Sequence, residues 1–342
     1  MTVTNGATGR RSVHGAAETW RRCAVELTRR LGLALATGYI LLFFAERVFW
    51  SHWRDTDDSI AAFLATWVVY SFAGEICLVV IREFRVRGVW SLFLVGALLG
   101  WLVEGVFTMT FFGADGIPFP FTIAWTGLSW HALIVVVIGW YGLQTALLRS
   151  FRRTALISGG LGLFWGGWSI FWDSQSPPGP AMAFIAHAFA ATLTLILAFR
   201  ALHILRCGRL QASRIEKSGL AIVVLLYFFG VTCVRFNWIA LVTLPPLFVL
   251  IYLALRRNAA VETRPDFLVA IDHPILWQRA LAVFLMPALA SAIHEGCRIG
   301  GLSAPTNIVV FAVTLPAGFA GFLFSLWAVF RRRRDDASFA AR

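Results

Sequence analysis

The sequence predicts an all-α, polytopic integral membrane bundle of about ten transmembrane helices with both termini in the cytoplasm. Three observations predict it. Apolar residues make up 58% of the 342-residue chain and charged residues only 14%, a balance displaced from soluble globular usage toward what a bilayer requires. The apolar residues are gathered into runs long enough to cross hydrocarbon. The basic residues stand almost wholly between those runs, on alternate sides of them.

A helix must supply roughly 20 apolar residues to cross a ~30 Å hydrocarbon core. Segments 31–50, 59–81, 88–111, 121–148, 154–172, 180–199, 218–234, 239–255, 277–297 and 306–330 meet that length. Residues 1–30 precede them as a basic cytoplasmic segment. Within it, 14–30 alternate Arg pairs with Trp20, Val25 and Leu27, a pattern that fits either an amphipathic helix on the inner leaflet or a flexible basic tail. The first run lies behind this Arg-rich stretch and carries no small-residue cleavage site, so it reads as a retained span. Residues 218–255 would run about 57 Å as one helix at 1.5 Å per residue, so they are divided into a hairpin at Arg235-Phe236-Asn237-Trp238. Residues 31–330 thus form one ten-span domain and 331–342 a basic cytoplasmic tail. The longest internal loop is Arg256 to Leu276, which leaves no soluble domain, and no internal repeat is evident.

Arg and Lys give an independent check, because the spans rest on hydrophobicity alone. With the N-terminus inside, 26 of the 30 basic residues fall on cytoplasmic segments, and only Arg47, Arg54, Arg235 and Arg298 lie opposite. The other loops are acidic or rich in turn residues, as in Asp55/Asp57/Asp58 and Ser176-Pro177-Pro178-Gly179-Pro180. The net charge of +12 therefore belongs to membrane orientation, not to nucleic-acid binding, which would need a soluble basic face. The five cysteines show neither a CxxC pair nor a metal-knuckle spacing. An Arg-over-Lys skew with abundant Ala points to a GC-rich, bacterial source and hence to the inner membrane. Oligomeric state leaves no mark in the sequence.

Ionisable residues within spans cost on the order of 2.5–3.5 kcal/mol on insertion scales, so they usually face the bundle interior and serve a purpose. Here they crowd one half of the membrane. Glu46, Glu104, His131, His187, His294 and Glu295 lie within about ten residues of the outer ends of their helices, roughly 15 Å at helical rise. Asp173, Arg235, Asn237, Arg298 and Asn307 sit at the outer rim, and Glu75 alone lies toward the cytoplasmic side. Gly96, Gly100, Glu104 and Thr108 form one ridge at four-residue spacing, which aims Glu104 into a helix contact. His187 sits between Ala183 and Ala191, and His294 follows Ala290 and Ser291, which also turns both imidazoles inward. The fifth span sets a face of Gly159, Gly162, Gly166 and Gly167 against a strip of Trp165, Trp168 and Trp172, readable as tight packing with interfacial anchoring or as an aromatic wall for a substrate.

The sharpest chemical reading is a metal-dependent hydrolase or transferase acting on a lipid-embedded or lipid-linked substrate. His131, His187 and His294 would hold zinc or another divalent transition metal, with Glu104 or Glu295 as general base. No HExxH motif supports it, and the paired-Glu and Arg motif of intramembrane CAAX-type proteases is absent. A proton-coupled transporter built on the same groups, with Glu75 on the inner side, is the alternative. A haem held between His131 and His187, and a non-catalytic assembly factor whose Glu and His groups only set helix register, complete the set.

Overall fold

The computed structural model describes residues 7–50, 59–114, 116–172, 177–180 and 182–332. It is a bundle of long helices. They are α1 (Ala7–Leu42), α2 (Ile60–Glu83), α3 (Val89–Phe107), α4 (Ile123–Arg149), α5 (Phe151–Trp168), α6 (Ala183–Ile204), α7 (Arg214–Tyr227), α8 (Cys233–Val261), the short α9 (Phe267–Ile271), α10 (Trp277–Ile299) and α11 (Thr306–Arg331). A two-residue hairpin, Gly113–Ala114 against Ile117–Pro118, joins α3 to α4.

Among the described residues, eight stretches are long and apolar enough to cross a membrane. One of them, Arg214–Val261, runs 48 residues, far beyond the ~30 Å of a hydrocarbon core. It is broken at Asn237, whose φ of 45° and ψ of −126° no helix tolerates. Both of its ends return to the same place: Lys217 pairs with Glu83 at 3.0 Å, and Asn258 donates to the carbonyl of Phe84 at 2.9 Å. The stretch is therefore a hairpin, broken inside the predicted tetrapeptide. α5, with 18 residues, falls short of the eight in apolarity, yet it packs along α10 through Gly162 and Gly166.

The arginine-rich loops converge on one end of the bundle. There Arg30 reaches Glu75 (2.6 Å) and Glu216, Arg82 reaches Asp266 (2.7 Å), Arg332 reaches Glu262 (3.2 Å), and Arg279 donates to the carbonyl of Leu148 (2.6 Å). These contacts tie the middle of α1 and the start of α7 to α2 and to the ends of α4, α8 and α11. Burial alone would raise the Glu262 carboxyl, but hydrogen bonds from Arg264 and the charges of Arg264 and Arg332 outweigh it and hold the group below the usual carboxylate range. At the same end the Cys207 thiol is buried, and that burial pushes it up to about 12, so it stays neutral and unreactive.

At the opposite end, α1 continues through a π turn, Phe43–Arg47, into Val48–Trp50. Carbonyls near a helix C-terminus lack intrahelical donors, and here rings from three other helices reach them. Trp130 of α4 donates to Ala45 (3.2 Å), His187 of α6 to Arg47 (3.3 Å) and Trp168 of α5 to Phe49 (2.6 Å). α3 and α4 approach closely where the ridge carries glycine: a Cβ on Gly96 would lie 2.6 Å from the Ala132 backbone, and one on Gly100 would lie 2.5 Å from the Gly127 carbonyl. That contact carries the next ridge residue, Glu104, toward α4.

Candidate functional site

A cavity of about 170 Å³ opens at the end away from the arginines, between the ends of α1 and α3 and the start of α4. Glu46, Glu104 and His131 stand on its wall with Phe49, Trp125 and Trp130, and the exposed Thr108 stands at its mouth. Two of these groups sit on π turns. Glu46 belongs to Phe43–Arg47 and Glu104 to Val103–Phe107, where the wider winding presents side chains off the regular helical register. His131 lies within Ile123–Leu143, wound in the same way.

The polar groups form a chain. The Tyr70 hydroxyl of α2 lies 2.7 Å from Glu46 Oε1 and 3.1 Å from His131 Nε2. His131 Nδ1 lies 2.8 Å from the Thr126 carbonyl, which can only accept, so Nδ1 carries a hydrogen. Glu104 Oε1 stands 3.6 Å from His131 Nε2, and Thr110 donates to Glu104 Oε2. Tyr70 and His131 are fully buried within the bundle, so these bonds form out of bulk water.

Hydrogen counting over this chain has a chemical consequence. The phenol can share one hydrogen between Glu46 and His131, or, where each contact is a separate hydrogen bond, the pair takes two hydrogens of which the phenol supplies one. The second belongs to the Glu46 carboxyl or to His131 Nε2, whose other nitrogen is already committed to Thr126. In that arrangement the network holds one proton more than ionised Glu46 with neutral His131, shared across a phenol. Such an arrangement can accept, hold and release a proton at the wall of a cavity.

Only part of the sequence-predicted set meets here. Glu46, Glu104 and His131 come together. His187 is spent on the Arg47 carbonyl and lies edge-on to Trp165 at 6.2 Å. His294 stacks on Phe184 at 4.1 Å with Trp172 edge-on at 5.3 Å, and its Nδ1 lies 3.3 Å from Glu295, which pairs in turn with Arg298 at 2.6 Å. Glu295 and Arg298 thus belong to a second, separate cluster on α10. Arg235 and Asn237 are exposed at the turn of the α7–α8 hairpin, and Asp173 lies outside the described residues. Among the described residues no three His, Cys, Asp or Glu side chains are placed to hold a metal ion. His131, His187 and His294 are each engaged by a different part of the bundle.

Sequence reasoning missed Tyr70. It ranks spans by their charged groups, and a phenol carries none at neutral pH. The available signal was depth: Tyr70 lies eleven residues from the start of its span at Ser59, close to the depth of the charged groups, and a buried phenol seeks a partner. No family model, curated protein or solved structure matches this chain.

Proposed function

We propose that the chain is a ten-span membrane protein, N-terminus and C-terminus in the cytoplasm, that exchanges protons with a small polar solute bound in the outer cavity. The ten spans are the eight apolar stretches with Arg214–Val261 taken as two and α5 added. The orientation follows from the arginine-rich end, which the positive-inside rule assigns to the cytoplasm.

The proton-sharing chain Glu46–Tyr70–His131, with Glu104 beside it on the cavity wall, carries this reading. It favours proton exchange over a metal-bound nucleophile, because both ring nitrogens of His131 are engaged within the protein. The cavity volume also speaks against the lipid-linked substrate expected from the sequence. About 170 Å³ is close to the ~150 Å³ that accommodates a molecule the size of benzene, and a lipid headgroup with its chains is several times larger.

The test is proteoliposomes loaded with a pH-sensitive dye and challenged with panels of small amines, amino acids, carboxylates and polyols. Proton-linked exchange gives a solute-dependent change of internal pH that disappears in His131→Ala. A folded protein that moves no protons with any class would sink the proposal. Orientation is read separately with a membrane-impermeant maleimide on intact cells carrying single-cysteine variants: Cys297, half-buried near the outer end of α10, labels, and Arg209→Cys, exposed at the opposite end, does not.

A further inference from the structure

We infer that one acyl chain of a phospholipid with an ammonium headgroup occupies the space between α7 and the α2–α3 pair, its headgroup resting on Lys217 and Glu83 at the arginine-rich end. The inference uses the membrane-spanning reading above and is independent of proton exchange.

The two arms of the α7–α8 hairpin meet the bundle differently. α8 packs directly: Ala240, Leu244, Ile251 and Ala254 are buried, and a Cβ on Gly105 of α3 would stand 2.7 Å from the Leu244 side chain. α7 is pinned at its two ends. Lys217 pairs with Glu83 at 3.0 Å, Tyr227 donates to the Phe107 carbonyl at 3.4 Å, and Thr232, just beyond, donates to that of Val106 at 2.8 Å. Yet none of the 14 residues of α7 is buried. A helix held at both ends and burying nothing in between stands off from its neighbours and leaves room beneath it.

A cavity of about 510 Å³ takes up that room. The described residues on its wall include Val79 and Val80 of α2, Leu98 and Leu102 of α3, Val224 of α7 and Phe248 of α8. On α7 the lining residues Lys217, Leu220, Ala221 and Val224 follow three- and four-residue spacing, so one face carries the ammonium at the mouth and apolar side chains below it. From Lys217 to Leu225 this face runs about 12 Å at helical rise, most of the ~15 Å depth of one leaflet. The volume is more than three times the ~150 Å³ that accommodates benzene. A polar solute would exchange its water for aliphatic walls, which costs free energy, whereas an acyl chain gains from the same exchange.

The mouth selects the headgroup. Lys217 and Glu83 are paired, yet their side chains remain 33% and 52% exposed, so each has surface left for a further partner. An ammonium phospholipid brings one phosphate and one cation. The phosphate accepts from Lys217 Nζ and the ammonium donates to the Glu83 carboxylate, so both charges of the existing pair are matched. The chain below the glycerol then lies along α7, filling the gap between the hairpin and the bundle.

The experiment is photo-crosslinking of the full-length protein in proteoliposomes with phosphatidylethanolamine, phosphatidylglycerol and diacylglycerol, each carrying a diazirine midway along one acyl chain. Modified residues are identified by mass spectrometry. The expected result is saturable labelling of Leu102, Val224 or Phe248 by phosphatidylethanolamine, competed away by the unlabelled lipid. Ala221→Trp and Leu220→Trp, which fill the cavity from α7, abolish that labelling and leave labelling of the exposed apolar face of α11 unchanged, melting curves confirming that each variant folds. Glu83→Gln lowers occupancy by phosphatidylethanolamine relative to phosphatidylglycerol about two- to fivefold, the worth of a partly exposed ion pair. Labelling of the parent protein spread evenly over α7, α8 and α11, or cavity labelling that persists in both folded tryptophan variants, overturns the acyl-chain site. Phosphatidylglycerol or diacylglycerol labelling the cavity as strongly as phosphatidylethanolamine overturns the headgroup assignment. A dimer whose cavity resists every lipid gives the space to a second copy of the chain. The maleimide experiment reads span orientation by itself, so failure of the lipid site and failure of the membrane-spanning reading are distinguishable.

Discussion

The two ends of the bundle treat their carboxylates differently. At the arginine-rich end, Glu75, Glu216, Asp266 and Glu262 each face a guanidinium. At the cavity end, the described neighbours of Glu46 and Glu104 include a phenol, an imidazole and a threonine hydroxyl. A guanidinium never gives up its proton in a protein, so a carboxylate held by one has no partner to trade a proton with and acts as a structural tie. A carboxylate held by a phenol and an imidazole can trade protons with both. The comparison teaches that one chain uses the same residue type to fix helices at one end and, on the proposed reading, to keep protons mobile at the other.

Two substitutions test that division most strongly. His131→Ala removes the imidazole from the mobile chain, and proton-linked flux in proteoliposomes should fall by about 10²- to 10⁴-fold, the usual worth of a positioned acid–base group, with the protein still folded. Arg30→Ala acts in the opposite sense. It leaves Glu75, whose side chain is only 12% exposed, without its guanidinium, and removing one partner of a buried pair costs about 3–5 kcal/mol. Thermal unfolding should show that loss while flux per folded molecule holds. If Arg30→Ala abolished flux in a stable protein, both ends would belong to one proton path and the comparison would fail.

Tyr70→Phe probes the bridge between Glu46 and His131. The phenol joins two groups that the ring alone cannot, so flux should drop by roughly tenfold, and stability by about 1–2 kcal/mol as two buried hydrogen bonds disappear. His187→Ala is the matching control. Its ring nitrogen serves the Arg47 carbonyl, so the variant should lose about 1 kcal/mol of stability and keep its proton stoichiometry. A changed stoichiometry would place His187 in the chemistry after all.

What could be read from the sequence divides along similar lines. The spans, the break at Asn237 and the gathering of arginines at one end follow from hydropathy and charge, quantities that each residue carries by itself. The close approach of α3 to α4 through Gly96 and Gly100 was legible, because four-residue spacing fixes a helix face. The grouping of His131, His187 and His294 was not legible, since similar depth does not place residues on facing sides of the bundle. Nor does helical spacing anticipate the π turns at Glu46 and Glu104, which shift each side chain off the regular register.

The smallest expected effect lies at the arginine-rich end and concerns pH. Glu262 is buried and accepts from Arg264 at 3.0 Å and Arg332 at 3.2 Å, contacts that hold its carboxyl below the usual range. A carboxyl depressed on folding stabilises the native state fully above its unfolded value, about 4.3, and that contribution is lost as pH falls through the folded value. Arg264 is half exposed, so solvent screens its share and the whole effect stays small. The melting temperature of Glu262→Gln should therefore lie below that of the parent protein at pH 7, and the gap should close as the pH is lowered below about 4. A gap of constant width from pH 7 to pH 3 would mean that Glu262 contributes through packing and not as an anion. The end assigned to fixed ion pairs would then have lost one of its ties.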